Sequence, residues 1–313
     1  MSATGGSGIP RRPFGRTGED VSLLCVGGAH IGGSKLAEDE GIRIIHACID
    51  AGADFLDNAW EYNEGVSEIR MGKALAQDGY RQRAFLMTKD CAHDRRADHS
   101  LQKLEESLKC LQTDHLDLWQ LHEVVWEDDS DKIFAPGGSA EALLKAKEQG
   151  KVRYIGFTGH KSPAIHKRML SQGFPFDSVQ MPLNVLDAHY ESFEKEIVPI
   201  CQAQGIAIIG MKSLAGGHLL ESGIDVTPAE AIRYSMSLPI ATLVSGMNSL
   251  EVMEENLATA RNFQPLTEVE RQDILSRSAP GSADGEFEPF KTTRNFEGAE
   301  GRKAHDYPLT AAD

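Results

Sequence analysis

Short apolar runs alternate with amphipathic stretches along most of the chain. The runs are Leu23–Gly28, Ala53–Asp57, Ala84–Lys89, Leu116–His122, Arg153–Gly159, Phe176–Gln180, Ile206–Met211 and Ala241–Gly246. Each is continuously apolar rather than alternating, as expected of strands covered on both faces in a parallel sheet. Between them lie stretches of helical period, such as "EGIRIIHACIDAG", "SLQKLEESLKCL", "SAEALLKAKEQG" and "SLEVMEENLATARNF". Gly52 and Gly150 stand where helix C-termini favour glycine. Eight strand–helix units in this length predict a closed (β/α)8 TIM barrel. An open doubly wound sheet is the competing architecture, but no G-x-G-x-x-G turn follows an early strand.

Flanking segments complete the outline. "RRPFGRTGEDVSLL" reads as an N-terminal hairpin with Gly18 in its turn, closing the barrel floor. "TEVERQDILSRSA" reads as an extra helix, and the rest as an irregular polar C-terminal tail. The expected organisation is a single domain over 1–313, with the barrel at 10–264 and the extra helix and tail at 265–313, over the active-site face.

Composition narrows the function. The 47 acidic and 32 basic residues give a net charge of -15, which disfavours nucleic acid and anionic membrane as partners. No apolar run reaches the ~20 residues of a membrane span. The opening "MSATGGSGIPRRP" lacks a secretory h-region and reads as a flexible lead-in. The five cysteines (Cys25, Cys48, Cys91, Cys110, Cys201) are scattered, without a C-x-x-C pair. This pattern argues against a disulfide scaffold or structural zinc and fits a reducing cytoplasm.

Chemistry in such a barrel sits at the C-terminal strand ends. Asp57 ends the second strand, with Tyr62 in its loop; Lys89 ends the third and His122 the fourth. A phenol is a poor acid near its usual pKa of about 10. A neighbouring ammonium favours the phenolate and lowers that value, and a carboxylate keeps the ammonium charged and in place. A histidine can hydrogen-bond and orient a carbonyl oxygen. Together the four suit proton delivery to a carbonyl oxygen while a hydride reaches its carbon.

With these segments in view, the sequence resembles the aldo-keto reductase superfamily. The resemblance is carried by "DAGADFLDNAWEYNEGVSE", "LMTKD", "LQTDHLDLWQLH", "GKVRYIGFTGH", "DSVQMPLNV", "GIAIIGMKSLAGG" and "VSGMNSLEVMEEN". It implies the tetrad Asp57, Tyr62, Lys89 and His122, a bound NADP(H) with NAD(H) as the other option, no metal or flavin, and reversible reduction of an aldehyde or ketone. It further implies that Gly28 and Ala29 pass beneath the nicotinamide ribose and pyrophosphate. Asp57 counts with this cofactor set too. Thr158 and Gly159 stand in place of the usual Ser–Asn pair at the carboxamide, with Gln180; His160 and Asn184 are the available substitutes for the missing Asn. Met211 replaces the ring that stacks on the nicotinamide, and Lys212, Ser213, Leu214 and Gly216 follow the pyrophosphate. Ser245, Gly246, Met247 and Asn248 lie at the adenosine ribose, with Glu255 and Asn256 at the adenine. Gly246 and Val252 stand where NADPH-specific members carry cations, leaving Lys212 or Arg261 for a 2′-phosphate.

The expected substrate rim is His30, Trp60, Glu61, His93, Glu123, Trp126 and His160, covered by Phe287–Phe296 of the tail. Such a mixture suits a polyhydroxylated, sugar-like carbonyl better than a steroid or arene. A metallohydrolase built from His30, His93, His122 and His160 with Cys91 and Glu123 is the weaker alternative, since Lys89 would place a cation among the ligands and no H-x-H follows the first strand. Cys91 reads as a pocket liner rather than a nucleophile. A cofactor-binding regulatory protein with little turnover is the alternative from another class. The assembly expected is a monomer or small homo-oligomer, with a small-molecule substrate as its partner.

Overall fold

Burial follows the apolar runs. The computed structural model describes residues 8–309, so most of the expected N-terminal lead-in (residues 1–7) and the last four residues lie outside the described part. A hairpin comes first, β1 (Arg11–Pro13) and β2 (Asp20–Ser22), paired antiparallel with Arg12 opposite Val21. Eight parallel strands follow: β3 (Leu24–Gly27), β4 (Phe55–Asp57), β5 (Phe85–Asp90), β6 (Leu116–Leu121), β7 (Val152–Thr158), β8 (Ser178–Pro182), β9 (Ala207–Met211) and β10 (Thr242–Gly246). They close in sequence order, β10 pairing with both β3 and β9. All eight runs form strands because each can be buried on both faces; every residue of β5 and β6 is buried. The expected (β/α)8 barrel is therefore the observed fold.

The helices lie where the 3.6-residue period placed them, among them Glu38–Asp50, Ala97–Cys110, Ser139–Glu148 and Leu250–Arg261. Gly52 and Gly150 follow two of them at φ 89° and 72°, a conformation open to glycine at little cost.

The hairpin seals the floor. Phe14 lies between its strands, fully buried, 5.2 Å from the Phe85 ring and 6.0 Å from those of Phe55 and Tyr154. Arg12 ties the same hairpin to the other side of the barrel, donating to the carbonyls of Met236, Leu238 and Ile240 at the end of helix Pro228–Ser237. With one end closed by side chains, the other is left for chemistry.

The extra helix forms at Glu268–Ser278, started by a reciprocal cap between Thr267 and Glu270. The tail is more structured than its composition suggests. It contains short helices at Pro289–Thr292 and Ala299–Ala304, and it buries Glu288, Phe290, Lys291, Glu297, Arg302 and His305. Lys291 explains how a polar segment can pack. Its ammonium donates to Asp187 (2.7 Å), Glu288 (2.7 Å) and the Tyr190 carbonyl (2.9 Å), so the buried charge is paired and saturated. Asn184 completes the knot by donating to Glu288 (3.0 Å). These bonds fasten the tail to the segment after β8.

Candidate active site

Asp57 and Lys89 end neighbouring strands, and the parallel pairing of β4 with β5 sets them side by side. The Lys89 ammonium donates to Asp57 Oδ1 (2.6 Å), the Asn58 carbonyl (2.7 Å) and the Tyr62 hydroxyl (3.3 Å). Each of Asp57 and Lys89 is 1% exposed. Burial works against the Lys89 charge, yet Asp57 and Tyr62 outweigh it and raise its pKa above the ordinary lysine value. Gln180 donates to the second Asp57 oxygen (2.9 Å), so both carboxylate oxygens are engaged.

Tyr62 reaches this pair because the chain turns sharply after it. Asn63, Glu64 and Gly65 have φ of 53°, 57° and 85°, a run of left-handed residues that costs strain at the non-glycine positions. Asn63 holds the turn by donating to the Ala29 carbonyl (2.7 Å) and to Ser67 (3.0 Å). Pairing with Lys89 alone would lower the Tyr62 pKa. In the structure burial dominates and raises it, with Lys89 opposing only in part. The phenol is thus held protonated.

His122 follows β6, its ring edge-on to Tyr62 with centroids 5.6 Å apart. Its Nδ1 lies 2.7 Å from Glu61 Oε1, and the other Glu61 oxygen meets His93 Nε2 at 3.0 Å. Burial opposes the Glu61 charge, but the two histidines overcome it and hold that carboxyl well below the usual range. Cys91 Sγ lies 3.4 Å from the same His122 nitrogen. Burial pushes the Cys91 thiol far up, which keeps it a neutral liner.

Glu61, Cys91 and His122 each offer a ligand atom within 4.8 Å of the others, as do Glu61, His93 and Glu123. Folding therefore gathers more metal-capable groups around Glu61 than sequence spacing suggested. Glu61 is already engaged by both histidines, hydrogen-bonded to His93 and 2.7 Å from His122 Nδ1.

Most of the expected rim is committed elsewhere. Trp60 donates to Glu106 (2.8 Å) and lies under the Lys103 ammonium, so its indole turns outward to helix Ala97–Cys110. Trp126 is buried against His305 and Tyr307 of the tail. The His30 ring packs on Gly246 at the end of β10, the side expected to hold nucleotide. His93 belongs to the Glu61 pair. His160 is closed over by Phe290 and Phe296, with centroids 6.0 and 6.4 Å away. Glu123 is half-buried, with φ 48°, and burial raises its pKa.

The nucleotide positions divide in the same way. Gln180 Oε1 and His160 Nε2 are buried without a partner, and burial holds His160 neutral. Two unpaired polar atoms of this kind fit a carboxamide, and Thr158 and Gly159 lie beside them at the end of β7. Asn184 is not available for that role: it donates to Glu288 and accepts from Leu186 and Asp187. Met211 ends β9 half-exposed, its sulfur 3.8 Å from Gln180 Nε2. The Lys212 ammonium sits over the Phe290 ring, and burial lowers its pKa. Lys212, Ala215, Gly216 and Gly217 all have positive φ, giving a tightly curled segment that also contains Ser213 and Leu214.

Gly28 is buried, and a Cβ there would meet the Asp57 carbonyl at 2.4 Å, so it serves close packing, whereas Ala29 is exposed. Asn256 donates to Ser245 (3.1 Å) and the Gly246 carbonyl (3.3 Å). Met247 is directed into the core against Cys48 rather than into a groove. Asn248 and Glu255 are exposed. Arg261 occupies the last turn of Leu250–Arg261, about 16 Å along the axis from the first turn at ~1.5 Å per residue. The first turn carries Val252 with Glu251, and Glu254 and Glu255 follow. Arg261 therefore does not lie at that end, and Lys212 follows β9 with its ammonium over the Phe290 ring.

Three residues that matter here were given no such part by sequence: Glu61 as the bridge between two histidines, Asn58 as an acceptor for Lys89, and Lys291 as the tail anchor. Only Glu61 left a trace, as the carboxylate next to the tyrosine.

A family model for the aldo/keto reductase family matches residues 23–231. L-galactose dehydrogenase of Arabidopsis thaliana is 26% identical over 294 residues, covering 82% of this chain and 90% of its own length. The uncharacterized oxidoreductase YrpG of Bacillus subtilis is 33% identical over 230 residues, covering 66% and 67%. Among solved structures, an aldo-keto reductase of Bacillus halodurans in its holo form superposes with a TM-score of 0.73 at 25% identity, covering 90% of this chain and 99% of that one.

Proposed function

The chain belongs to the aldo/keto reductase family and is an oxidoreductase by that membership, and from this premise we propose that it interconverts a carbonyl compound and an alcohol with a nicotinamide nucleotide. The observation that carries the reading is the buried Asp57–Lys89–Tyr62 array at the barrel mouth, with His122 edge-on to the phenol.

The nucleotide supplies the hydride when bound. Gln180 and His160 would hold its carboxamide, Met211 would cover the ring, and the Lys212–Gly217 segment would carry the pyrophosphate. Tyr62 passes its proton to the carbonyl oxygen. Lys89 stabilises the phenolate left behind, and Asp57 keeps the lysine charged and aimed. Because the phenol is held protonated, it is armed as an acid before substrate arrives, and its acidity becomes useful only as negative charge grows on the oxygen.

NADP(H) is the family expectation, and one relative, an aldo-keto reductase of Schizosaccharomyces pombe, carries NADP(+) in its name. The glutamates near the first turn of Leu250–Arg261, with Gly246 and Val252 where NADPH-specific members carry cations, favour NAD(H) in this chain. For substrate we propose a polyhydroxylated carbonyl or its alcohol. Support comes from Glu123, a half-buried carboxylate beside His122, and from the similarity to L-galactose dehydrogenase. Five free cysteines suit a reducing cytoplasm.

The test is a panel of hydroxylated and apolar carbonyls and alcohols of similar size, run with NADPH, NADH and their oxidised forms. Hydride transfer with a preference for the hydroxylated set is expected. Tight nucleotide binding without turnover of any member would replace the reductase reading with a regulatory one.

A further inference from the structure

We propose that Glu61, Cys91 and His122 form a zinc site at the barrel mouth, and that an ion bound there slows the reaction proposed above. The site stands on geometry; only its effect on turnover rests on the reductase reading. Cys91 and His122 are the first residues past β5 and β6, and the parallel register sets Asp90 opposite Leu121. Their side chains therefore leave neighbouring strands at one level, with the Cys91 sulfur 3.4 Å from His122 Nδ1. Glu61 comes from the loop after β4 and brings Oε1 to 2.7 Å from the same nitrogen. All three ligand atoms lie within 4.8 Å of one another.

This donor set selects the metal. One thiolate, one imidazole and one carboxylate suit zinc, whereas magnesium and calcium want oxygen ligands. With bonds of about 2.3 Å to sulfur and about 2.0–2.1 Å to nitrogen, a tetrahedral zinc centre holds those two atoms roughly 3.6 Å apart. That is close to the separation already present. The nitrogen–oxygen gap is shorter than such a centre needs and must open by roughly half an ångström. Protons on the ligand atoms leave to solvent on binding, and the thiolate and the Glu61 carboxylate then balance the charge of the ion. Lys89, expected to place a cation among the ligands, is held instead by Asp57 and the Asn58 carbonyl, and it would face a neutral complex. Three protein ligands leave the fourth position for water.

The surroundings prepare the site. His93 Nε2 meets the second Glu61 oxygen at 3.0 Å, an outer contact of the kind that orients a ligating carboxylate. Arg95 fixes the loop after β6, donating to the carbonyls of His122 (2.9 Å) and Glu123 (2.8 Å). Cys91 and His93 line a cleft of ≈ 320 Å³ together with tail residues Glu300 and Ala304. Glu61 lines a second cleft of ≈ 850 Å³, which shares His93 and Glu300 with the first. An ion thus reaches the ligands from the side, beneath the tail. The cost of binding falls on His122. Opening its gap to Glu61 moves a ring that is set edge-on to Tyr62, and misplacing an orienting group by a fraction of an ångström lowers the rate.

Cobalt(II) is the probe, because it occupies tetrahedral zinc sites and reports a thiolate ligand by a near-ultraviolet charge-transfer band. Added to the full chain without nucleotide or substrate, it should give that band at equimolar ratio, and zinc should bleach it. Saturating cobalt with no band would overturn the proposal, whatever the protein does to carbonyls. Cys91→Ser should abolish the band and weaken zinc by more than the roughly 10–100-fold that loss of an outer partner costs. Glu61→Gln, on another element, should weaken zinc likewise and tests the same site should Cys91→Ser fail to fold. Cys110 also lines the larger cleft, so a band that survives Cys91→Ser and disappears in Cys110→Ser would refute the assignment. Zinc kept by Cys91→Ser but lost by Glu123→Gln would place the ion on Glu61, His93 and Glu123 and refute it too. In turnover, zinc should lower the wild-type kcat/KM for reduction by roughly tenfold or more, and EDTA should restore it. Cys91→Ser should keep most of its own zinc-free rate at the same zinc concentration. Bound zinc with undiminished turnover would overturn the inhibition. A chain that shows the band yet turns over no carbonyl would sink the reductase reading and keep the site.

Discussion

At the scale of single residues, one chemical type takes opposite roles according to its surroundings. Lys89 is paired directly with a carboxylate and gains charge stability, whereas Lys212 has only more distant carboxylates and loses it to desolvation. Tyr62→Phe removes the proposed proton donor but no packing of consequence. It should lower kcat by about 10²–10⁴-fold with nucleotide binding preserved, and steady-state kinetics beside a binding titration would check both. His166 is fully buried, with both ring nitrogens unpartnered, and burial lowers its pKa to about 4. The unfolded chain takes up that proton near pH ~6.5 and the folded chain only near the lower value. Stability contributed by the neutral ring is thus complete above the unfolded pKa and lost as pH falls through the folded one, at up to about 1.4 kcal/mol per pH unit. Urea midpoints measured across that window should slope in the wild type and slope less in His166→Leu. The sequence shows the histidine; its burial between Phe157 and Phe193 comes only from the fold.

At the scale of elements, the two ends of the chain close the two ends of the barrel by different physics. The hairpin closes the floor with Phe14, a ring against rings. Phe14→Ala would leave a void there and should cost about 3–5 kcal/mol, read as a lower melting temperature with catalytic constants unchanged at low temperature. The tail closes over the opposite side with charges. Lys291→Met would leave Asp187 and Glu288 buried without their cation and should destabilise the protein by about 3–5 kcal/mol. The same change should expose the tail to limited proteolysis after Glu288 before the barrel is cut. The hairpin was legible because "FGRTGED" joins an aromatic to turn residues. The tail was not, because "EFEPFKTTRNFEG" has the composition of a solvated segment and reveals its order only once Asp187 and Asn184, about a hundred residues earlier, lie beneath it.

At the scale of the whole molecule, the nucleotide-binding expectation spans strands from both halves of the chain, so bound nucleotide should stabilise the barrel as a unit. A ligand that binds only the folded state raises stability by about 2.7 kcal/mol at a hundred times its Kd. The thermal shift with NADH should exceed that with NADPH at equal concentration. Val252→Arg should reverse the order by giving a 2′-phosphate its partner. A larger NADPH shift in the wild type would instead place the phosphate on a cation other than those near Leu250–Arg261.

The sequence by itself determined the barrel and the set of polar residues that end its strands. Continuous apolar strands, helical periods and glycine stops are local signals, and eight of them in series admit few arrangements. Asp57, Lys89 and His122 were legible for the same reason: a polar residue ending a buried strand can face only the barrel mouth. The tertiary structure alone decided the rest. It set Glu61 between two histidines from other strands, turned Trp60 outward to Glu106, and raised the Tyr62 pKa that pairwise charge alone would lower. These outcomes depend on desolvation and on contacts between residues far apart in the chain, and neither quantity exists until the strands close.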